Sequence, residues 1–471
     1  MLAIFAMALR VSIDSDTWWH LRAGQWMIEN GSLLRADPFS FTRGGGAWHY
    51  SGWLAQVLLY AVYRVAGAGG LNVLTALVVT LAFFFVYHTT RGDAFLRSFV
   101  LILAAVASAV YWSARPQILS LLLAAVFAWV IESYRREGRG RLWVLPLLMA
   151  VWVNVHGGFA IGFILIVLTM IGLGAEGLFA VGEERRRVWR AAAALALTGL
   201  ACAVAVGLNP FGYEMLAYPF KTVGIGALQT YIQEWQSPNF HTRETQPFLW
   251  LLFLTLASIG FSRRRLAVTD FVVCAGVAYT GFLAGRNMPL LAIVAPAIIL
   301  RHAQEILERV APAWGREDSA PVRVRGSGWL NAAVIALAAI AVVVKALPVL
   351  DPRINDEEVA RTQPVQAVAF LREHPGLGPM LNSYNWGGYL IWSLPEYPVF
   401  VDGRTDLYDD ELLTQYLAAV RAEPEWREVL ERWNIGVVLL EPKMPLVTVL
   451  RLQGWQTAAA DEISVVLLPP D

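Results

Sequence analysis

Ile13-Asp14-Ser15-Asp16-Thr17-Trp18-Trp19-His20-Leu21-Arg22 packs two acids, two tryptophans, a histidine and an arginine into one short run. The chain around it has 471 residues, 57% hydrophobic and 16% charged, where a soluble protein carries roughly 25% charged residues. Mean hydropathy is +0.50. A tryptophan pair suits a membrane–water interface, where the ring keeps its body in apolar surroundings. Asp14, Asp16, His20 and Arg22 can titrate, pair or coordinate. The run therefore reads as a site at the mouth of a membrane protein.

Working outward, Met1 to Ser12 is apolar apart from Arg10 but shorter than the roughly 20 residues a spanning helix needs; it is expected to be a truncated first span. Thr17 to Asn30 has helical spacing. Trp19, Ala23, Trp26 and Met27 share one face, as in an interfacial helix, and Asp16 and His20 share another. Asn30-Gly31 ends that helix. Trp53 to Ala66 is apolar but short, an interfacial or re-entrant helix. Spans follow at 70–90, 98–113, 117–134, 142–155, 158–181, 190–208, 247–262, 266–285, 288–302 and 328–349. The fold class is therefore a polytopic α-helical membrane protein of about eleven spans, the first truncated. Residues 1–350 form the membrane domain, with an external loop at 13–69.

From Asp351 the composition turns soluble. Pro364–Glu373, Asp409–Ala422 and Pro424–Arg432 read as helices; Tyr397–Asp402, Ile435–Glu441 and Ile463–Leu468 read as strands. Residues 351–471 are thus a small α/β domain. If Trp53 to Ala66 does not cross, the basic knots at 135–141, 183–190, 263–265 and 301–325 all fall on one side, expected to be cytoplasmic. The opposite, external face then collects the acids of the opening run, Arg115, Asn154, His156, Glu234, His241, Arg286 and the α/β domain. Ionisable residues at membrane depth are costly and mark function, and their gathering at one rim predicts one cavity. Zero net charge implies no nucleic-acid partner. Cys202 and Cys274 lie inside apolar runs, with neither disulfide nor metal spacing.

The motifs carry a resemblance. Asp16-Thr17-Trp18-Trp19-His20-Leu21-Arg22 resembles the Asp-Pro-Trp-Tyr-His-x-Arg run in the first external loop of oligosaccharyltransferase catalytic subunits. Those are C-type glycosyltransferases, polytopic enzymes that use lipid-phosphate-linked sugars. Ser383-Tyr384-Asn385-Trp386-Gly387-Gly388-Tyr389-Leu390-Ile391 is similar to their Trp-Trp-Asp-Tyr-Gly-Tyr-Trp-Ile stretch. Val401-Asp402-Gly403, followed by Arg404, resembles their Ala-Asp-Asn, and Thr230-Tyr231-Ile232-Gln233-Glu234 resembles their Ile-x-Glu signature. The nearest resemblance is to a bacterial membrane-protein group of the same superfamily, with Asp-Thr-Trp-Trp-His-Leu-Arg and Asn-x-His-Gly-Gly. The resemblance implies an inverting glycosyltransferase of the bacterial cytoplasmic membrane, with its site and α/β domain outside. It implies a polyprenyl-phosphate sugar donor, the lipid bilayer and a cell-envelope acceptor as partners.

Two departures matter. The family's second external loop carries an acid pair for a metal; here it reads Ser113-Ala114-Arg115-Pro116-Gln117. A divalent metal, Mg or Mn, would have to sit on Asp16 and Glu234 without that pair. Trp386 stands where the family's acceptor-reading aspartate falls, so transfer to Asn-x-Ser/Thr is poorly supported.

Inverting transfer needs a base for the acceptor proton and cations for the departing phosphate. The resemblance and its position make Asp16 the base; a blander reading of Asp16, or of Ser15, is a helix cap. Asp14 is a supporting acid. His20 and Arg22 orient Asp16 or meet phosphate, unless they merely form a solvated face. Arg115 and Arg286 fit a phosphate clamp or headgroup snorkelling. Asn154 and His156 fit substrate binding or a satisfied turn, and Glu234 a metal or the acceptor. Trp386, Tyr389, Asp402 and Arg404 complete the expected substrate set; Trp235, Trp386 and Tyr389 either stack on sugar or pack the outer domain. The alternatives are a non-catalytic scaffold of the same fold and a transporter.

Overall fold

The computed structural model describes residues 1–11, 14–138, 141–226, 232–311 and 327–470. Thr230 and Tyr231 of the Glu234 motif, Arg139 and Gly140 of one basic knot, and most of the loop after Arg301 lie outside the described residues.

Every predicted span falls on a helix. After α1 (Leu2–Ala8) and α2 (Ser15–Asn30) comes α3 (Trp53–Thr89). It is interrupted at Gly67 (φ 61°, ψ −160°), a left-handed backbone that only glycine adopts freely. The break separates the short Trp53 to Ala66 helix from the span after it, as the sequence predicts. Then come α4 (Ala94–Ser108), α5 (Gln117–Glu137), α6 (Val144–Val155), α7 (Ala160–Phe179), α8 (Gly182–Val206) and the short α9 (Tyr218–Val223). The bundle closes with α10 (Gln246–Phe261), α11 (Val268–Leu283), α12 (Met288–Val310) and α13 (Ser327–Leu350). Seven helices among the described residues are long and apolar enough to cross a membrane, while α6, α10 and α11 are apolar but shorter.

The C-terminal domain, called the outer domain after its expected side, contains α14 (Pro352–Thr362), α15 (Val365–Glu373), β1 (Met380–Asn382), α16 (Gly387–Ser393), α17 (Asp410–Val420) and α18 (Trp426–Arg432). It ends with β2 (Val437–Leu440), α19 (Pro445–Leu452), β3 (Gln456–Ala460) and β4 (Val465–Leu468). Its sheet runs β1-β2-β4-β3, with β1 parallel to β2 and the other pairs antiparallel.

One strand assignment needs correction, and the sequence reading assigns no strand at Met380–Asn382 or Gln456–Ala460. Tyr397–Asp402 is largely buried, apart from an exposed Pro398, but bends at Tyr397 and Phe400 and lies outside the sheet; the strand beside β2 is Met380–Asn382. The backbone of Val399 instead pairs with Phe39 and Phe41 of the external loop (3.1 Å each), and the Asn382 side chain accepts from the Phe400 N–H and donates to the Val401 carbonyl (2.8 Å each). An apolar run reports burial and not which neighbour satisfies its backbone. β3, Gln-Thr-Ala-Ala-Ala, is half-exposed and rich in alanine, which carries little strand preference.

The tryptophan pair is also not interfacial. Trp18 and Trp19 are buried. Trp18 packs edge-on against Tyr389 (centroids 5.4 Å apart), and Trp19 against Trp48 (5.8 Å) and Tyr50 (5.5 Å). One apolar cluster runs through α2, the external loop and the outer domain, so the outer domain is seated on the opening run.

The seat is fastened by a buried ion network. Arg404, fully buried, donates to Asp402 through Nε (2.8 Å) and Nη2 (2.7 Å) and to Asp37 of the external loop through Nη1 (2.6 Å). The Tyr408 hydroxyl donates to Asp402 (2.6 Å). A fully paired buried cation of this kind fixes position more than it adds net stability.

Candidate active site

The first turn of α2 aims its acids. Asp14 is the N-cap, its Oδ1 accepting the Asp16 N–H (3.0 Å). The capping role expected of Asp16 or Ser15 thus belongs to Asp14, because Ser15 already opens the helix. Asp16 is left free to face inward, one turn from His20. The Thr17 hydroxyl donates to the Ala114 carbonyl (3.3 Å), which holds the turn carrying Arg115 beside α2.

Arg115 is the hub. Its Nη2 meets Asp16 Oδ2 at 2.9 Å, and its Nη1 meets Asp14 Oδ2 at 3.1 Å and Glu234 Oε2 at 3.4 Å. Glu234, on a single 3-10 turn, also meets Arg286 Nη1 at 3.3 Å. The Arg286 guanidinium lies 4.2 Å from the centroid of the Trp235 ring. A Gly285 N–H to Gln236 carbonyl bond (3.0 Å) ties these two turns together. Arg115 and Arg286 therefore converge on one carboxylate.

This cluster forms part of the wall of a cavity of about 1500 Å³ between the helix ends and the outer domain. Asp14, Asp16, His20, Arg115, His156, Glu234 and Arg286 all line it. Its apolar wall includes Ile161, Phe163, Ile164, Pro219 and Phe220.

Burial favours the neutral form of both cavity histidines. Burial, aided by Arg115, holds His20 well below the usual imidazole range. Burial, with Arg286 and Arg115 nearby, pushes His156 down to about 3. His156 Nδ1 accepts from the Gly158 N–H (3.0 Å) and meets the Ser120 hydroxyl (2.8 Å).

The acids are pushed apart. Burial raises the Asp16 carboxyl to about 7, against the pull of Arg115 and with the help of Asp14 and Glu234. Burial would raise Glu234 too, but Arg115 and Arg286 outweigh it and hold it below the ordinary range. Burial alone would lower Arg115, yet its carboxylates keep it more firmly protonated than usual. Divergent carboxyl environments in one cavity are how acid–base roles are divided.

The outer domain supplies the remaining wall. Gly403 sits where a Cβ would fall 1.9 Å from Asp16 Oδ1, so only glycine lets this loop approach so closely. Gly388 has the same relation to α2: its Cβ would fall 2.5 Å from the Ser15 carbonyl oxygen. Asp406 lines the cavity and accepts from Tyr218 Oη (3.1 Å) and Trp48 Nε1 (3.2 Å).

Several expected substrate residues lie elsewhere. Trp386 is buried and donates to the Thr362 carbonyl (3.0 Å), and Tyr389 packs on Trp18. Their neighbours Ser383, Tyr384 and Asn385 line the cavity instead. Asp402 and Arg404 are spent in the buried network. Arg22, outside the cavity lining, donates to Gln25 (2.9 Å). Asn154 accepts from Trp53 Nε1 (2.7 Å) and Asn209 Nδ2 (3.2 Å). His241 is exposed and outside the cavity lining. Tyr50, Tyr218 and Asp406 were missed by the sequence reading. The only hint was one more acid just after Val401-Asp402-Gly403.

No family model and no curated protein matches the chain by sequence. Solved structures do match its fold. An archaeal oligosaccharyltransferase, AglB from Archaeoglobus fulgidus, in complex with an inhibitory peptide and a dolichol-phosphate, aligns with a TM-score of 0.59 at 14% identity. That alignment covers 93% of this chain and 69% of that one. ArnT from Cupriavidus metallidurans bound to undecaprenyl phosphate aligns with a TM-score of 0.51 at 14% identity, over 99% of this chain and 96% of that one. Both are C-type glycosyltransferases, and this chain has their polytopic membrane fold.

Proposed function

We propose that the protein is an integral membrane glycosyltransferase that moves a sugar from a polyprenyl-phosphate donor to an acceptor outside the cytoplasm. The observation that carries this reading is Asp16: a carboxylate in a large cavity, pushed up to about 7, with the Arg115 guanidinium at 2.9 Å and Arg286 lining the same cavity. A base poised near the working pH combines a useful ionised fraction with proton affinity. Asp16 takes the acceptor proton as the acceptor attacks the sugar carbon bonded to phosphate, and the phosphate departs from the opposite face with inversion. Arg286 and Arg115 receive its growing charge. Among the described residues Arg286 meets one carboxylate, Glu234, where Arg115 meets three, and so it has more donors to give. The apolar wall around Phe163 and Phe220 suits the isoprenoid chain.

The bacterial cytoplasmic membrane is the expected location, with the cavity outside, since short cytoplasmic loops carry the excess of arginine. Mass spectrometry of lipid retained by the purified protein tests the donor class. A co-purified polyprenyl phosphate, displaced from Arg286→Ala, is expected. Indifference to polyprenyl phosphate in both proteins would refute it.

A further inference from the structure

The resemblance to oligosaccharyltransferases implies a divalent metal at this position, and the residues present do not suit one. The carboxylates of Asp14, Asp16 and Glu234 converge from two separate stretches of chain, an arrangement that elsewhere marks a Mg or Mn site. Here the point they converge on is a side chain. Arg115 holds Asp14 at 3.1 Å, Asp16 at 2.9 Å and Glu234 at 3.4 Å. It comes from the loop Ser113–Gln117, which contains no acid.

A metal would have to draw these oxygens in to about 2.0–2.6 Å. That requires expelling a guanidinium which cannot deprotonate and leaving its charge against a dication in a buried setting. No cluster of three or more His, Cys, Asp or Glu side chains among the described residues has metal-holding geometry.

We infer that Arg115 is the built-in cation of this site, occupying the carboxylate cage so that no divalent metal binds there. This rests on reading the cavity as a sugar-transfer site, although the cage geometry stands without it. The guanidinium orients Asp16 by a bond at 2.9 Å and supplies one positive charge that no chelator removes. Its donors are largely engaged by carboxylates, which leaves Arg286 as the freer phosphate ligand.

The test uses the full-length protein in lipid nanodiscs, with Mn²⁺ as probe and free Mn²⁺ read by electron paramagnetic resonance. Wild type is expected to take up no stoichiometric Mn²⁺. Arg115→Ala, which empties the cage, is expected to gain one Mn²⁺ per chain and to lose it again when combined with Glu234→Gln. Arg115→Lys, which keeps a cation, should gain none. One Mn²⁺ bound by wild type and lost in Glu234→Gln overturns the inference, as does a folded Arg115→Ala that binds none. The wild-type result decides if Arg115→Ala does not fold. Polyprenyl-phosphate retention by the same samples is scored separately, so failure of the donor reading leaves the Mn²⁺ result intact.

Discussion

The two polar ends of the helix bundle are built as opposites. At the cavity, one guanidinium gathers three carboxylates. At the far end, one carboxylate gathers three guanidiniums. Asp270, with its side chain 4% exposed, meets Arg135 at 2.9 Å, Arg136 at 3.3 Å and also Arg301, while Arg301 meets Glu132 at 3.1 Å. The space beside Asp270 is about 50 Å³ against about 1500 Å³ at the cavity. Both clusters lock segments distant in sequence. Only the first leaves room for a substrate and keeps a surplus of acid, with Asp16 titrating near neutrality. Ionic density alone does not make a site; open volume beside an unbalanced carboxylate does.

The comparison breaks if removing charge at either end has the same consequence. Asp16→Asn keeps the shape but not the basicity, and should cut transfer by roughly 10²–10⁴-fold with little change in Tm. Asp14→Asn retains a capping oxygen and should lose far less activity in the same sugar-transfer assay.

Asp270→Asn should do the reverse. Three guanidiniums would be left to Glu132, and breaking buried pairs costs about 3–5 kcal/mol. Thermal unfolding in detergent should show a large loss of stability, with transfer per folded molecule preserved. Equal activity losses in Asp16→Asn and Asp270→Asn would dissolve the distinction.

Gly403→Ala sharpens the comparison on the cavity side. The new methyl would collide with Asp16 Oδ1, so the loop or the carboxylate must move. A displacement near 1 Å is expected to lower transfer by about 10²-fold, with the outer domain still folded by circular dichroism.

The smallest effect is expected at Trp386→Phe. It removes one hydrogen bond, to the Thr362 carbonyl, worth about 0.5–1.5 kcal/mol. Tm should drop slightly and transfer should hold. A large rise in KM would return Trp386 to the substrate set.

The bundle was legible because apolar length is a direct signal in a membrane chain. The division near Gly67 followed from taking Trp53 to Ala66 as a short helix apart from the span that starts near residue 70, though the glycine that makes the break was not singled out. The convergence of Asp14, Asp16, Arg115, Glu234 and Arg286 followed from topology, since all sit at one rim. What the sequence hid was partnership. Trp18, Trp19, Trp386 and Tyr389 have rings that suit lipid or sugar, and here they pack on one another's elements. Asp402 and Arg404 look reactive, but Arg404 is spent on Asp402 and on Asp37, the latter 367 positions away, a contact that spacing does not encode. Asp406 and Tyr218 meet only because the outer domain folds back over the cavity.

The pH–rate profile tests the central claim most directly. Folding raises the Asp16 carboxyl to about 7, so ionising it costs stability as pH climbs from the ordinary carboxylate range through about 7. That same ionisation creates the base. Sugar transfer by the wild type is therefore predicted to rise with pH, level off above about 7, and lose this limb in the residual activity of Asp16→Asn. A wild-type profile flat through neutrality, or an identical limb in Asp16→Asn, would contradict Asp16 as the base.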